Sequence, residues 1–126
     1  MNVRHLVVVG GLLTAPAYAQ LLGDPPPPNG AALFRGQCGT CHVLEPGVAA
    51  RQGPHLAGLI GRKPGSVVGF KYSAGYEQAE FVWDAAHLDE YLTNPQALIP
   101  GSNMAYRQAK PEVRTAIIDY LERQPQ

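Results

Sequence analysis

The chain has 126 residues, and its ten Lys and Arg side chains are matched by ten Asp and Glu side chains, so its net charge is zero when the histidines are neutral. This length is typical of a single domain. The sequence has no basic stripe of the kind that binds phosphate backbones. The composition therefore argues against nucleic acid as a partner.

Residues 1–19 have the pattern of a secretory signal peptide. Arg4 lies in a short polar start, residues 6–13 form an apolar run, and residues 17–19 give a small-x-small cleavage pattern. The apolar run is shorter than the ~20 residues that span a bilayer. We therefore expect cleavage before Gln20, export to the periplasm and no membrane span afterwards. An uncleaved anchor is the alternative.

The next segment is rich in proline. Residues 20–28 include four consecutive prolines, and this composition predicts a polyproline-type N-terminal extension. We expect the folded domain to cover residues 29–126, beginning with a helix that Asn29 caps and that starts near Gly30. This first helix is predicted to run directly into a pair of cysteines.

Those cysteines belong to the most informative stretch of the chain, Cys-Gly-Thr-Cys-His. Cys38 and Cys41 are three positions apart and His42 follows directly, which is the spacing of c-type haem attachment. The two thiols can form thioether bonds to the porphyrin, and the imidazole can bind its iron. A disulfide between the cysteines is the alternative in an oxidising compartment, but it would leave His42 without a role.

The rest of the sequence predicts helices and loops. Residues 43–75 carry many glycines and few periodic apolar positions, so we expect a long loop, which a buried cofactor would explain. A second helix is predicted to start at Asp84 and to be ended by Pro95. Pro111 opens the last helix. No strand-like alternation occurs, and the predicted fold class is all-α, with three main helices and loops around one haem.

His42 can fill only one axial position of a haem iron, and Met104 is the candidate for the other. It is the one methionine after residue 19, and Pro100 and Gly101 stiffen the segment that precedes it. A thioether is a soft ligand that favours ferrous iron. The alternative is that Met104 fills a gap in the core, as methionines commonly do.

The order and spacing of further segments resemble the class I cytochromes c, in particular the mitochondrial-type branch and its bacterial periplasmic relatives. The resemblance covers residues 29–123, and the segments that carry it are GPHLAGLIGRK at 53–63, GFKYS at 69–73, Trp83, YLxNP at 91–95 and IPGxxM at 99–104. It implies the small cytochrome c fold, one covalent haem, His42 and Met104 as iron ligands, and a soluble one-electron carrier that is not an enzyme.

The same resemblance implies roles around the haem. The Pro54 carbonyl is expected to orient His42, and the Tyr91 hydroxyl is expected near the Met104 sulfur. Four side chains are expected near the haem propionates: Arg62, Tyr72, Ser73 and Trp83. Without the resemblance, Arg62 would be an ordinary surface charge and Trp83 a core aromatic.

The sequence departs from the mitochondrial-type pattern near the methionine segment. Gln96, Ala97 and Asn103 stand where lysines are common in that branch, and Tyr76 stands where an asparagine is common. Once residues 1–19 and their single arginine are removed, the net charge is −1, so strong positive steering of a partner is not expected.

The partners that the resemblance implies are redox proteins. We expect a quinol–cytochrome c oxidoreductase as donor, a terminal oxidase, reductase or dehydrogenase on the other side, and a monomeric carrier between them. Two alternatives remain open at this point. One is a haem subunit permanently docked in a larger redox complex through the proline-rich extension, and the other is a peroxidase-like haem enzyme.

Overall fold

The computed structural model describes residues 26–126, and within this range the regular structure is helical, with no strand. The predicted signal peptide, its cleavage point and residues 20–25 of the extension lie outside the described residues. The helices are α1 (Gly30–Leu33), which continues as a π-helical turn (Phe34–Cys38), α2 (Ala74–Glu77), α3 (Ala85–Thr93), α4 (Pro95–Leu98) and α5 (Pro111–Glu122). None of the helices in this part of the chain combines the length and apolar character that crossing a membrane requires.

The helix starts follow the predicted caps. The Asn29 side chain accepts a hydrogen bond from the Ala32 N–H at the start of α1, and Asp84 accepts one from the His87 N–H at the start of α3. Each bond satisfies a backbone donor that lacks a partner inside the helix. Pro95 was expected to end the helix that starts at Asp84, and α3 does end just before it, at Thr93. Pro95 also opens α4, because proline suits a first helical turn.

The first and last helices pack closely at a glycine. A Cβ atom at Gly30 would collide with the Ala116 carbonyl oxygen, so the two backbones meet where no side chain intervenes. One turn further on, the rings of Phe34 and Tyr120 lie 5.5 Å apart between centroids. This contact fixes α1 on α5. It thereby also positions residues 34–42, the π-helical turn and the Cys-x-x-Cys-His motif that follows it, which we call the attachment turn.

Helices α3 and α5 are joined by an ion pair between a buried arginine and a half-exposed aspartate. Arg114 of α5 is 8% exposed, and its Nε donates to a carboxylate oxygen of Asp89 on α3 at 2.7 Å. The same guanidinium donates to the carbonyls of Gln108 and Ala109 at 3.0 and 3.1 Å. Because its charge is both paired and hydrogen-bonded, Arg114 can hold α3, α5 and the incoming segment together without a large desolvation cost.

The glycine-rich loop predicted over residues 43–75 has no helix over residues 43–73, and its last two residues instead begin α2. Backbone hydrogen bonds tie it back to the rest of the fold. Gly53 donates to the Cys41 carbonyl at 2.9 Å, and Gly61 donates to the Trp83 carbonyl at 2.7 Å. The loop thereby closes around a space at the centre of the molecule.

The end of the proline-rich extension lies against the last helix. Pro27 and Pro28 line a shallow groove with Glu112 and Ala116 of α5. Both prolines are exposed. The described part of the extension is therefore in contact with its own domain.

Candidate functional site

A cavity of about 310 Å³ occupies the centre of the fold. An engineered apolar cavity of about 150 Å³ is enough to bind benzene, so this space suits a larger flat molecule. The wall is mainly apolar, and its aliphatic members are Leu56, Leu59, Leu88, Leu92, Ile117 and Leu121. The sequence-predicted residues that also line it are Cys38, Cys41, His42, Pro54, Arg62, Tyr72, Trp83, Tyr91 and Met104. Ser73 is the one predicted site residue outside this lining.

Both cysteines are free thiols at the cavity wall, and no disulfide joins them. Cys38 ends the π-helical turn, and the Cys41 and His42 N–H groups donate to its carbonyl at 3.0 and 2.9 Å. This tight turn presents both sulfurs and the imidazole to one space. Burial, and then proximity to Cys41, raises the pKa of the Cys38 thiol to about 11.

The His42 ring is oriented by the residue predicted to do so. Its Nδ1 lies 2.8 Å from the Pro54 carbonyl oxygen. A carbonyl can only accept, so Nδ1 carries the proton and Nε2 keeps the lone pair that a metal needs. Burial lowers the pKa of His42, against the opposing effect of that carbonyl, and this favours the neutral imidazole.

Gly53 lies directly against the same ring. A Cβ atom there would overlap three atoms of the His42 imidazole, and even the farthest of them, Nε2, would be only 2.8 Å away. The glycine thus permits the loop to reach the position from which Pro54 binds the ring. The imidazole is held between this loop and the attachment turn.

Arg62 is a half-buried cation at the cavity wall. Its guanidinium donates to the Ala57 carbonyl and, at 3.0 Å, to the His55 carbonyl. These bonds use two of the five N–H donors of an arginine. Burial lowers the pKa of Arg62, while Tyr72 opposes the shift. The remaining N–H groups are available to an anion in the cavity.

Three further predicted donors lack an acceptor within residues 26–126. Tyr72 accepts at its hydroxyl from the Val67 N–H at 3.3 Å but donates to no group in this range. The Ser73 hydroxyl oxygen is buried without a partner in this range, and buried polar groups are rarely left unpaired. Trp83 lines the cavity, and its indole N–H makes no hydrogen bond in the described part of the chain. The free donors of Tyr72 and Trp83 suit a ligand that carries acceptors such as carboxylates.

On the Met104 side, three buried hydroxyls form a triangle. Tyr76 lies 2.5 Å from the Tyr91 oxygen and 2.7 Å from the Ser102 oxygen, and Tyr91 lies 3.1 Å from Ser102. Ser102 also accepts from the Met104 N–H at 3.3 Å. Burial is the main cause that raises the pKa of Tyr91, so its hydroxyl stays protonated. Tyr91, predicted to lie near the methionine sulfur, is thus linked to the Met104 backbone through Ser102.

Sequence reasoning missed Ser102 as a site residue. It is 2% exposed, yet a serine beside a glycine in a turn reads as an ordinary loop residue. Its partners lie 11 and 26 residues away along the chain, so only the fold brings them together.

A helical domain that closes on an apolar cavity, with a Cys-x-x-Cys-His turn in its wall, defines a class of protein: the c-type haem proteins. Comparisons with known proteins narrow the class. No protein-family model matches the chain. Cytochrome c of Chlamydomonas reinhardtii is 41% identical over 95 residues, which is 75% of this chain and 85% of that protein.

Two other relatives agree with this assignment. Cytochrome c of Cochliobolus lunatus is 43% identical over 97 residues, 76% of this chain and 90% of the relative. Cytochrome c-550 of the bacterium Novispirillum itersonii is 42% identical over 95 residues, 67% of this chain and 86% of the relative. The chain belongs to the class I cytochrome c family.

Family membership confirms several predictions. The chain has the small all-α cytochrome c fold and carries a covalent c-type haem, and the turn at residues 38–42 has the spacing that attachment requires. It is an electron carrier rather than an enzyme, which removes the peroxidase-like alternative. The residues of the cavity fit the group on independent grounds, because free thiols, a neutral imidazole and the spare N–H groups of Arg62 meet in one apolar space.

Proposed function

We propose that the chain is an exported, periplasmic one-electron carrier whose haem is attached at Cys38 and Cys41, with His42 and Met104 as the axial ligands. The observation that carries the proposal is that both candidate ligands line the same cavity as the two thiols. His42 has one nitrogen committed to Pro54, which leaves the other for iron. Met104 is suited to the second axial position because its backbone N–H is held by the Ser102 hydroxyl.

The bound haem would supply the one-electron change between ferrous and ferric iron. The task of the protein is to keep both axial positions filled and water out. His42 and Met104 would fill them, so that no position is left for a substrate. The aliphatic lining would keep the surroundings of low polarity, which limits the rearrangement that accompanies a change of charge.

The four predicted polar residues would hold the haem carboxylates. Arg62 offers a charge and spare N–H groups, and Tyr72, Ser73 and Trp83 offer donors that have no acceptor within residues 26–126. A buried carboxylate is costly unless such groups pair with it. Arg62, Tyr72 and Trp83 line the cavity, which supports a shared propionate-binding region, whereas Ser73 lies outside that lining.

Export and partners rest on other observations. Residues 1–19 have the pattern of a signal peptide, and a bacterial cytochrome c-550 is among the relatives. The partners in this proposal are a quinol–cytochrome c oxidoreductase and a terminal oxidase, reductase or dehydrogenase. Because the exported chain would have a net charge near −1, docking would depend less on charge than on shape and apolar contact.

The test is a reductive titration of the holoprotein, matured with haem-attachment machinery and followed by visible spectroscopy. We expect one low-spin redox centre per chain and, in the oxidised form, a methionine–iron charge-transfer band. A spectrum without that band, together with ready binding of added imidazole, would contradict the Met104 assignment. The mass of the protein from a periplasmic fraction tests cleavage before Gln20.

A further inference from the structure

A second polar cluster connects the part of the cavity lining that carries the cysteines and His42 with the part that carries Met104. It consists of Gln37, Tyr106 and Gln108, which we call the rim cluster. Gln37 directly precedes the first cysteine, and Tyr106 lies two residues beyond Met104. Both line the cavity and both are half-buried. Their contact joins parts of the chain that are 69 residues apart.

The hydrogen bonds within the rim cluster form a closed set. The Tyr106 hydroxyl donates to the Gln37 side-chain oxygen, which also accepts from the Gln108 amide nitrogen at 3.0 Å. The second N–H of that amide reaches the Tyr106 oxygen at 3.2 Å. An amide nitrogen has two donors and a carbonyl oxygen two lone pairs, so each is fully used. Because the donors of the Gln108 amide and the lone pairs of the Gln37 oxygen are all paired within the cluster, the contact has a defined geometry.

Gln108 fastens the rim cluster to the helical scaffold. Its N–H donates to the Leu92 carbonyl of α3 at 2.8 Å, and its own carbonyl accepts from Arg114 of α5 at 3.0 Å. Its side-chain oxygen accepts from the Lys110 N–H at 3.1 Å. With the two bonds to Tyr106 and Gln37, every polar group of this residue is occupied. The cluster is therefore anchored on three sides.

The segment that carries Met104 depends on such contacts because it has no regular structure of its own. Residues 102–110 form no helix, and within the described residues Met104 lies between the Ser102 triangle and the rim cluster. Detachment of a ligand on this segment requires the segment to move. The Tyr106 bond to the attachment turn would have to break in that movement.

We propose that the rim cluster is a positioning contact that holds the Met104 segment against the attachment turn and so restrains the access of outside ligands to the iron. This inference rests on the proposed function, in which Met104 is an axial ligand. It assigns Tyr106 and Gln37 roles that act through Met104 and not on the iron itself.

The test is the imidazole affinity of the oxidised holoprotein in the variant Tyr106→Phe. The ring and its packing stay, and two hydrogen bonds are lost, of which only the one to Gln37 joins the Met104 segment to the turn before the first cysteine. Loss of that bond should make opening about 2- to 10-fold easier. The apparent affinity for imidazole should rise by the same factor, because it scales with the open fraction. Tyr120→Phe is the matched control, since the Tyr120 hydroxyl makes no hydrogen bond within residues 26–126; it should leave the affinity unchanged.

A second variant separates a specific contact from general loosening. Gln37→Leu should raise the imidazole affinity to a similar extent, and the double variant should fall well short of the product of the two effects, because both remove the same bond. A parent protein that lacks the charge-transfer band would refute the proposed function. A parent that has the band, with Tyr106→Phe and Tyr120→Phe binding imidazole equally, would overturn the rim-cluster proposal alone.

Discussion

The two walls of the cavity are built in different ways. On the His42 side, backbone groups hold the ring, through the Pro54 carbonyl and a loop that Gly53 brings into direct contact with it. On the Met104 side, side-chain hydroxyls and amides from distant parts of the chain hold a segment without regular structure. On the His42 side, one added atom should therefore cost a large part of the stability. On the Met104 side, removing one side-chain hydrogen bond should weaken the structure only partly, because the other bonds remain.

The largest expected effect comes from removing Met104, the proposed second ligand. In Met104→Ala we expect the haem to stay attached, the charge-transfer band to disappear and imidazole to bind about 100-fold more tightly or better, since no internal ligand then competes for the iron. Titration of the oxidised protein measures this. A variant that kept a closed low-spin iron without added ligand would show that another residue occupies the position.

Crowding the His42 wall should be the next largest effect. Gly53→Ala places a Cβ atom inside the imidazole, so the ring or the loop must move and the bond to Pro54 is strained or lost. We expect the free energy of unfolding to fall by about 3 kcal/mol. Urea denaturation followed by haem absorbance measures it. Gly36→Ala, with no neighbouring atom within 4 Å, is the matched control and should cost little.

Loosening the Met104 wall should give a smaller and graded effect. Tyr76→Phe removes the hydroxyl that bonds both Tyr91 and Ser102, and the bond between those two residues remains. We expect a loss of about 1–2 kcal/mol in stability and a modest rise in the imidazole affinity of the oxidised protein. If stability and imidazole affinity stayed as in Tyr120→Phe, the triangle would not position Met104.

The smallest expected effect lies away from both walls, at the start of α3. The hydrogen bond from the His87 N–H is the main cause that lowers the pKa of Asp84 below its usual 3.8. A lowered folded-state pKa stabilises the fold above the unfolded-state pKa, and that contribution is lost as the pH falls through the folded-state value.

Asp84→Asn tests this effect because asparagine caps a helix about as well as aspartate, so mainly the charge is removed. The variant should be slightly less stable near neutral pH, and the difference should vanish in acid below 3.8. Urea midpoints across a pH series measure it. Glu80→Gln, an exposed carboxylate with no ion pair inside the described range, serves as the control. A difference that persisted in acid would rule out the charge as its cause.

The same contrast between the walls explains what the sequence can predict. The His42 side could be predicted because its residues are close together in sequence: the Cys-x-x-Cys-His motif, a glycine and a proline all lie within residues 38–54. Helix starts at Asn29, Asp84 and Pro111 were also predictable, because capping and proline effects act over a single turn.

The Met104 side could be predicted only in part. Met104 was proposed because few soft ligands are available, and it lines the cavity, but Ser102 and the rim cluster have partners as far as 26 and 71 residues away. No local sequence pattern predicts that a particular glutamine or serine is buried and hydrogen-bonded. The end of α3 before Pro95 was predicted, but the start of α4 at the same proline was missed.

The π-helical turn that ends in Cys38 has a consequence for the length of the chain. In this turn the Gly39 N–H donates to the Phe34 carbonyl at 2.8 Å, five residues back, so one extra residue is accommodated between the helix contact and the first thiol. Deleting one of residues 35–37 would remove this extra residue, so Cys38 would have to reach the cavity wall by ordinary α-helical winding. Haem absorbance per chain measures whether the sulfur still meets the porphyrin. The turn therefore makes the number of residues between the contact of α1 with α5 and the first thiol part of the attachment site.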